Sequence, residues 1–405
     1  MPTDPCSTPS FSIMSLGPET MLEIFDLLFT YAEKPYNSTA YTPQPLPLCY
    51  RLFIPLNYSI PQSVMTVYLN VVSLQKVVNV HIAYVNKGEA VEACKENARF
   101  DILMNCLGAH LRRCRTISIH TRYHSSILVA TKRLDTLVLP QLFELSLVSY
   151  VTDTIADAGF TALECPSIAS LSVDAQTLVN LVGCLKKLPN PEKELDKIHV
   201  TRYCPHNGTS RLSPSSLISA ISQLMHGHEG IFLLCIDNVT FGETSVWYSG
   251  PDLGIISYIQ ISDQDTEFLH PFFSALDPPW EAEDAGSVTL TRCTLLYPVE
   301  ICLTPEIMLR EIGDSDSILN VLRGWDGFTP SLRLDDCSGL DDDVLETLVD
   351  EDLCPNTSRF DIHGCPGLSV DALQSFASSR VDGGRFEELH VSGGPVLSEE
   401  EKQWF

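Results

Sequence analysis

Apolar positions in the last third of the chain recur at a fixed offset. Leu332-Arg333-Leu334 is followed by Cys337, Leu340, Leu345 and Leu348. A step of 28 gives Phe360-Asp361-Ile362, Cys365, Leu368, Leu373 and Phe376. A further 29 takes Phe360, Ile362 and Leu368 to Leu389, Val391 and Leu397. The first three residues of each unit alternate apolar, polar, apolar, which predicts a strand, whereas Val344, Leu345 and Leu348 follow helical spacing. A short strand and a short helix in each unit predict one turn of a solenoid.

The same triplet can be traced towards the N-terminus as Ile117-Ser-Ile119, Leu145-Ser-Leu147, Leu171-Ser-Val173, Ile198-His-Val200, Leu234-Cys-Ile236, Ile259-Gln-Ile261 and Val288-Thr-Leu290. Their starts lie 28, 26, 27, 36, 25 and 29 residues apart, and 44 residues separate Val288 from Leu332. The 44-residue gap places an insertion, or an irregular repeat, between Pro298 and Ser317. One unit cannot bury its own apolar face, so neighbours must stack. The expected fold is α/β, with a concave parallel sheet and helices outside. Flanking residues of each triplet then point into the core and the middle residue points to solvent. The middle residues are Ser118, Ser146, Ser172, His199, Cys235, Gln260, Thr289, Arg333, Asp361 and His390. They share no single chemistry, which suits recognition of a protein better than catalysis. His199, Gln260, Arg333, Asp361 and His390 are the candidate partner-binding residues.

Leu142-x-x-Leu145-x-Leu147 and Ile168-x-x-Leu171-x-Val173 carry a longer consensus. With Cys337-Ser-Gly-Leu340 and Cys365-Pro-Gly-Leu368 between strand and helix, the region from Arg112 onward resembles the leucine-rich-repeat family of the cysteine-containing type.

The segment from Ser15 to Leu28 reads as a helix: Pro18 suits its first turn, Glu19 complements the helix dipole, and Met21, Leu22, Phe25 and Leu28 form an apolar stripe. Leu16, Pro18, Glu19, Glu23, Ile24 and Phe25 resemble the opening of an F-box; Gly17 replaces its first proline and Thr20 an aliphatic residue. The second F-box motif should contain Val-Cys and Trp, but a Pro-rich stretch and then Leu48-Cys-Tyr-Arg51 stand there without the tryptophan. The combination with cysteine-bearing repeats resembles fungal F-box/leucine-rich-repeat proteins. That resemblance implies a Skp-type adaptor as one partner, contacted by Leu16, Pro18, Ile24 and Phe25, and a target protein held by the repeats. It implies no enzyme activity and no cofactor in this chain. The alternative is a stand-alone repeat scaffold with no ligase link.

The expected organisation is a disordered start over 1–14 and an F-box-like segment over 15–60 with a Pro-rich linker at 33–47. An irregular junction or cap over 61–110 and a repeat solenoid over 111–405 follow.

Composition narrows the partners. A net charge of −26, from 26 basic and 52 acidic side chains, argues against nucleic acid, whose affinity comes from Lys and Arg on phosphates. From Gly313 to Phe405 there are 6 Lys/Arg against 20 Asp/Glu, so this acidic end carries a net −14. Between Ile102 and Leu134 the sign reverses, with Arg112, Arg113, Arg115, Arg122, Lys132 and Arg133 and no acid, which predicts a solvated basic face. The longest apolar run, Val64 to Val85, is broken by Asn70, Gln75, Lys76 and Asn79, so no membrane contact is expected. The polar start lacks the pattern of a signal peptide, and 14 cysteines without a Cys-x-x-Cys pair predict buried free thiols in a reducing cytoplasmic or nuclear setting. Five Asn-x-Ser/Thr sequons point the other way.

No phosphate loop, dinucleotide turn, nucleophile elbow or His-Glu-x-x-His helix is present. His226-Gly-His228 has the wrong spacing for a shared face, and Asp341-Asp-Asp343 and Asp350-Glu-Asp352 lack the glycine and alternation of a calcium loop. The acid runs are expected to cap helices and face water, and no metal site is expected.

Overall fold

The structure is a computed structural model. It describes residues 50–55, 78–83, 91–155, 160–183, 195–205, 212–225, 230–242, 253–276, 286–301, 304–325, 331–382 and 386–395. The four F-box-like positions Leu16, Pro18, Ile24 and Phe25, the segments 1–14 and 33–47, and the pair His226 and His228 lie outside the described residues. The chain forms two compact units: Met1–Tyr150 with Gly159–Ser167, and Val151–Ala158 with Ile168–Phe405.

In the first unit the order is β1 (Tyr50–Pro55), β2 (Val78–Ala83), α1 (Ala93–Leu107), a 3-10 turn at Leu111–Arg113, β3 (Cys114–Tyr123), α2 (His124–Leu134) and β4 (Glu144–Val151), whose last residue belongs to the other unit. The strands lie side by side in chain order, with β1 parallel to β2 and β2 parallel to β3. Among the described residues, strand pairing already includes Tyr50–Pro55 and Val78–Ala83, ahead of Arg112. Tyr50 and Arg51, which stand where a second F-box motif belongs, open β1 and pair with Val78 and Asn79. The expected irregular junction over 61–110 contains β2, whose alternating Val78, Val80 and Ile82 are buried, and the regular helix α1. Backbone pairing to β3 overrides the weak local signal of this stretch.

Glu96, in the first turn of α1, is buried and organises the start of α2. Its carboxylate accepts from the Tyr123 N–H at 3.1 Å, the Arg122 N–H at 3.4 Å and the Ser126 hydroxyl at 2.7 Å. An anion against the unpaired N–H groups of a helix start is favourable. The basic residues of this region do not share one solvated face: Arg115 and Arg122 lie on β3, while Arg133, on α2, bonds Asp101 at 2.7 Å.

The second unit contains β5 (Ser170–Asp174), α3 (Ala175–Val182), β6 (Leu195–Thr201), α4 (Pro214–Met225), β7 (Ile231–Asp237), β8 (Ile256–Ser262) and α5 (Thr266–Ser274). It continues with β9 (Ser287–Thr291), β10 (Glu306–Arg310), α6 (Ser315–Gly324), β11 (Ser331–Asp335), α7 (Asp342–Asp350), β12 (Arg359–His363), α8 (Val370–Asp382) and β13 (Glu388–Ser392). The nine strands are parallel neighbours in chain order. The 28-residue offset is the pairing register itself, since Leu332 faces Phe360 and Leu334 faces Ile362. The stretch between Pro298 and Ser317 is an irregular repeat rather than an insertion, because Ile307-Met308-Leu309 forms β10 between Val288-Thr289-Leu290 and Leu332-Arg333-Leu334. This α/β repeat arrangement is compatible with leucine-rich-repeat architecture.

Each strand from β7 to β13 is followed by a residue with positive φ: Asn238, Asp263, Arg292, Glu311, Asp336, Gly364 and Gly393. From Asn238 to Gly364, the N–H of each donates to the last carbonyl of the next strand, at 2.7–3.0 Å. The sheet ladder thus runs one residue past each strand from β7 to β12 before the chain turns away.

The cysteine signature has its reason here. Cys293, Cys337 and Cys365 stand two residues beyond β9, β11 and β12, and each thiol lies within reach of two strand carbonyls. Cys337 Sγ is 3.4 Å from the Leu309 oxygen and 3.5 Å from that of Asp335; Cys293 and Cys365 repeat the pattern. A small buried group with one weak donor fits the end of a parallel ladder.

Four helix starts are marked by aspartates. Asp174, Asp265, Asp314 and Asp341 accept from the N–H of Thr177, Phe268, Ser317 and Val344. The run at Asp341 is therefore a helix cap, as its sequence position predicted. Gly339 and Gly367, 28 residues apart, allow each coil to approach the previous cap. A Cβ on Gly339 would lie 2.5 Å from the Asp314 carbonyl carbon and 2.8 Å from its nitrogen. Backbone cannot yield as a side-chain tip can, so Gly339→Ala is expected to destabilise the second unit by about 1–3 kcal/mol in urea unfolding. An unchanged unfolding midpoint would show that the coils are less closely stacked than this.

Candidate functional site

The exposed face of the β5–β13 sheet collects the side chains that alternate away from the core. Its central row is set by pairing register and runs Ser172, His199, Cys235, Gln260, Thr289, Met308, Arg333, Asp361 and His390. All five candidate partner-binding residues fall in this one row. Ser118 and Ser146 belong to the first unit, where Ser118 is the register partner of His81 and Ser146 meets His120 at 3.2 Å.

Alternation predicts outward positions but not their burial. Asp361 is buried, at 5% exposure, and Cys235 is also buried, whereas Gln260 and His390 are open. Asp361 is covered because Arg359, two residues earlier on the same face, lies over its carboxylate at 2.9 and 3.3 Å. Arg333 is held likewise by Asp335 at 2.9 Å. Beyond the strand ends, Arg292 bridges Asp263 and Glu311 at 2.7–2.8 Å. The arginines of this face are therefore already oriented by carboxylates.

Three of the nine strands bring a second set together. Ser172 Oγ lies 3.3 Å from His199 Nδ1, and His199 Nε2 lies 2.6 Å from Asp237 Oδ2. Burial pushes the Asp237 carboxyl up, but hydrogen bonds from His199 and Ser262 and the charges of His199 and Lys197 outweigh it and hold it below its usual value. Serine, histidine and carboxylate in line are the parts of an acyl-transfer site. Ser172 sits in the middle of β5, however, not on the tight strand-to-helix turn that exposes a nucleophile and aims backbone N–H donors at an oxyanion. The set orients His199 and adds a polar anchor to the face.

β7 and β8 also carry an apolar element that the triplet pattern did not reveal. Phe232 and Tyr258 are 44% and 40% exposed and meet edge to face at 5.0 Å. Their β7 and β8 positions lie outside the apolar-x-apolar triplets, and the sequence signal was an aromatic one or two positions before each triplet. His363 was also missed: it follows Asp361 by two positions on β12, which puts both on one face, and its ring meets that of His390 at 5.3 Å.

Buried thiols offer no nucleophile in this region. Burial pushes Cys235 up to about 11 and Cys293 up to about 12, far above the range where a thiolate forms at neutral pH. The ten cysteines among the described residues are free. No helix among the described residues is long and apolar enough to cross a membrane. No family model matches the chain, and no curated protein matches it either.

Proposed function

We propose that this chain is a non-catalytic scaffold that binds a partner protein on the exposed sheet face of its second unit. The observation that carries this reading is the register-locked row from Ser172 to His390, flanked by an exposed aromatic pair and by arginines already held in place. Aromatic and arginine side chains dominate the energetics of protein interfaces, and pre-oriented groups lose little freedom on binding. A net charge of −26 favours a protein partner over nucleic acid.

The finer reading is a substrate-recognition subunit of a Skp/cullin-type ubiquitin ligase, acting in the cytoplasm or nucleus. It is supported by the F-box-like residues Leu16, Pro18, Glu19, Ile24 and Phe25 in front of a cysteine-bearing repeat array. Catalysis then belongs to other subunits, and this chain supplies position and effective concentration. One observation favours the second reading, a stand-alone scaffold: Tyr50 and Arg51, where a second F-box motif was expected, pair in β1 instead.

Capture of a purified Skp-type adaptor by the full chain separates the two. The ligase reading expects capture by the wild type and its loss, by at least about tenfold, in Ile24→Asp with Phe25→Asp, because two charges replace apolar side chains at the adaptor-contact positions. Failure of the wild-type chain to capture an adaptor removes the ligase reading and leaves the scaffold.

A further inference from the structure

We infer that the last two described strands carry a binding site for a divalent transition-metal ion of the zinc class, formed by Asp361, His363 and His390. One carboxylate oxygen and one ring nitrogen from each histidine lie within 4.8 Å of one another, and this is the one such group found among the described residues. The inference does not depend on the proposed function.

The backbone sets the triangle. Asp361 and His363 alternate onto the same side of β12, and pairing in register places His390 of β13 directly beside Asp361. Parallel neighbours lie about 4.8 Å apart, so three ligand-bearing side chains at these positions converge without any special loop. Ligands at about 2.0–2.2 Å from one ion sit roughly 3.3–3.6 Å from each other in a tetrahedral site, so the side chains must close by up to about 1.5 Å. His390, largely exposed, can make that movement, while the buried Asp361 is the fixed point. The remaining positions around the ion stay open to water or to a donor from another molecule.

Ligand chemistry selects the class of ion. Two imidazoles and one carboxylate suit zinc, cobalt, nickel or iron(II), and are a poor set for calcium or magnesium, which take oxygen ligands. The outer contacts fit as well. The Ser392 hydroxyl engages His363 Nδ1, and a ring held through one nitrogen presents the other. Such second contacts fix the orientation of metal-binding histidines.

Arg359 is the competing occupant. Its guanidinium lies on both Asp361 oxygens, at 2.9 and 3.3 Å, and also approaches Glu388 at 3.5 Å. An arriving cation must displace it or share the carboxylate with it. The site is consequently weakened by its own neighbour, and removing that neighbour should strengthen it. An arginine that merely braces the strand would not produce this result.

The full chain, stripped with a chelator, is titrated with Co²⁺ as the spectroscopic probe and with Zn²⁺ by calorimetry. One equivalent is expected to bind, with the visible absorption of nitrogen-and-oxygen-ligated cobalt. His363→Ala with His390→Ala should weaken that equivalent by about tenfold or more. Arg359→Gln should tighten it several-fold. Unchanged melting temperatures show that the variants fold. No binding by the wild type at millimolar ion overturns the site. So does a full equivalent retained by the double histidine variant, which places the ion elsewhere. Weaker binding by Arg359→Gln overturns the competition and the geometry it rests on.

Discussion

Arg380→Met should destabilise the second unit by about 2–4 kcal/mol, with the loss read as a lower urea midpoint. Arg380 lies on α8 with its guanidinium inside the protein, at 9% exposure. It donates to the carbonyls of Leu348, Leu353 and Cys354, the group of oxygens left where α7 ends. Its face also lies 5.5 Å from the centre of the Phe376 ring and 5.9 Å from that of Phe360, both buried. Burial pulls Arg380 below its usual value, but an arginine so lowered still carries its proton at neutral pH. Methionine keeps much of the volume and removes every donor. An unpaired buried carbonyl costs about 1–3 kcal/mol, and three oxygens lose a charged donor here, although Leu348 keeps the bond from the Leu353 N–H and Cys354 keeps that from the Thr357 N–H. Arg380→Lys should recover only part, because one ammonium on a flexible stem cannot span three acceptors in a fixed fork. All four tryptophans, at positions 247, 280, 325 and 404, fall in the second unit, so tryptophan fluorescence follows its unfolding. A lysine variant as stable as wild type would defeat the argument from fork geometry.

Alkaline pH should unfold the second unit well before its backbone is chemically harmed. Burial pushes Cys235 up to about 11 and Cys293 and Cys354 up to about 12, against 9.0 for a free thiol. The sign follows from proton counting. Between 9 and 11 the unfolded chain releases these three protons and the folded chain keeps them. Stability is therefore intact below about 9 and falls as pH rises towards the folded values. Each such thiol contributes a slope of up to about 1.4 kcal/mol per pH unit, so three contribute up to roughly 4 kcal/mol per unit. Urea midpoints under reducing conditions should be level from pH 7 to 8.5 and drop steeply by pH 10. Other groups titrate in this range too, so the decisive comparison is Cys293→Ala with Cys354→Ala, which should flatten the drop. Parallel pH profiles for wild type and the double variant would mean that the thiols are not the cause.

How much could be read from residue order depended on the length of the pattern. The triplets from Ile117 to Val391 needed only alternation and a fixed offset, and the pairing of Leu332 with Phe360 and of Phe360 with Leu389 follows that offset. The strand β10 was harder to see because Met308, an apolar residue, takes the polar middle place and β9 lies only 19 positions earlier, as Val288 pairs with Ile307. For β2, alternation was present in Val78, Val80 and Ile82, yet the long apolar run around it hid the period. The candidate face was legible as a row of residues, while its burial and its pairings were not. Arg359 over Asp361 and Ser172 against His199 are contacts between side chains whose directions no spacing rule specifies.

The order of residues by itself determined the alternation of strand and helix, the outward row and the aspartate caps, because each depends on spacing within a few residues. Tertiary structure alone decided why cysteine follows β9, β11 and β12, and that Asp361, His363 and His390 converge. Those features arise between neighbouring coils, about 28 positions apart in sequence and one strand spacing apart in space. Only stacking brings such distant residues within reach of a common carbonyl or a common ion.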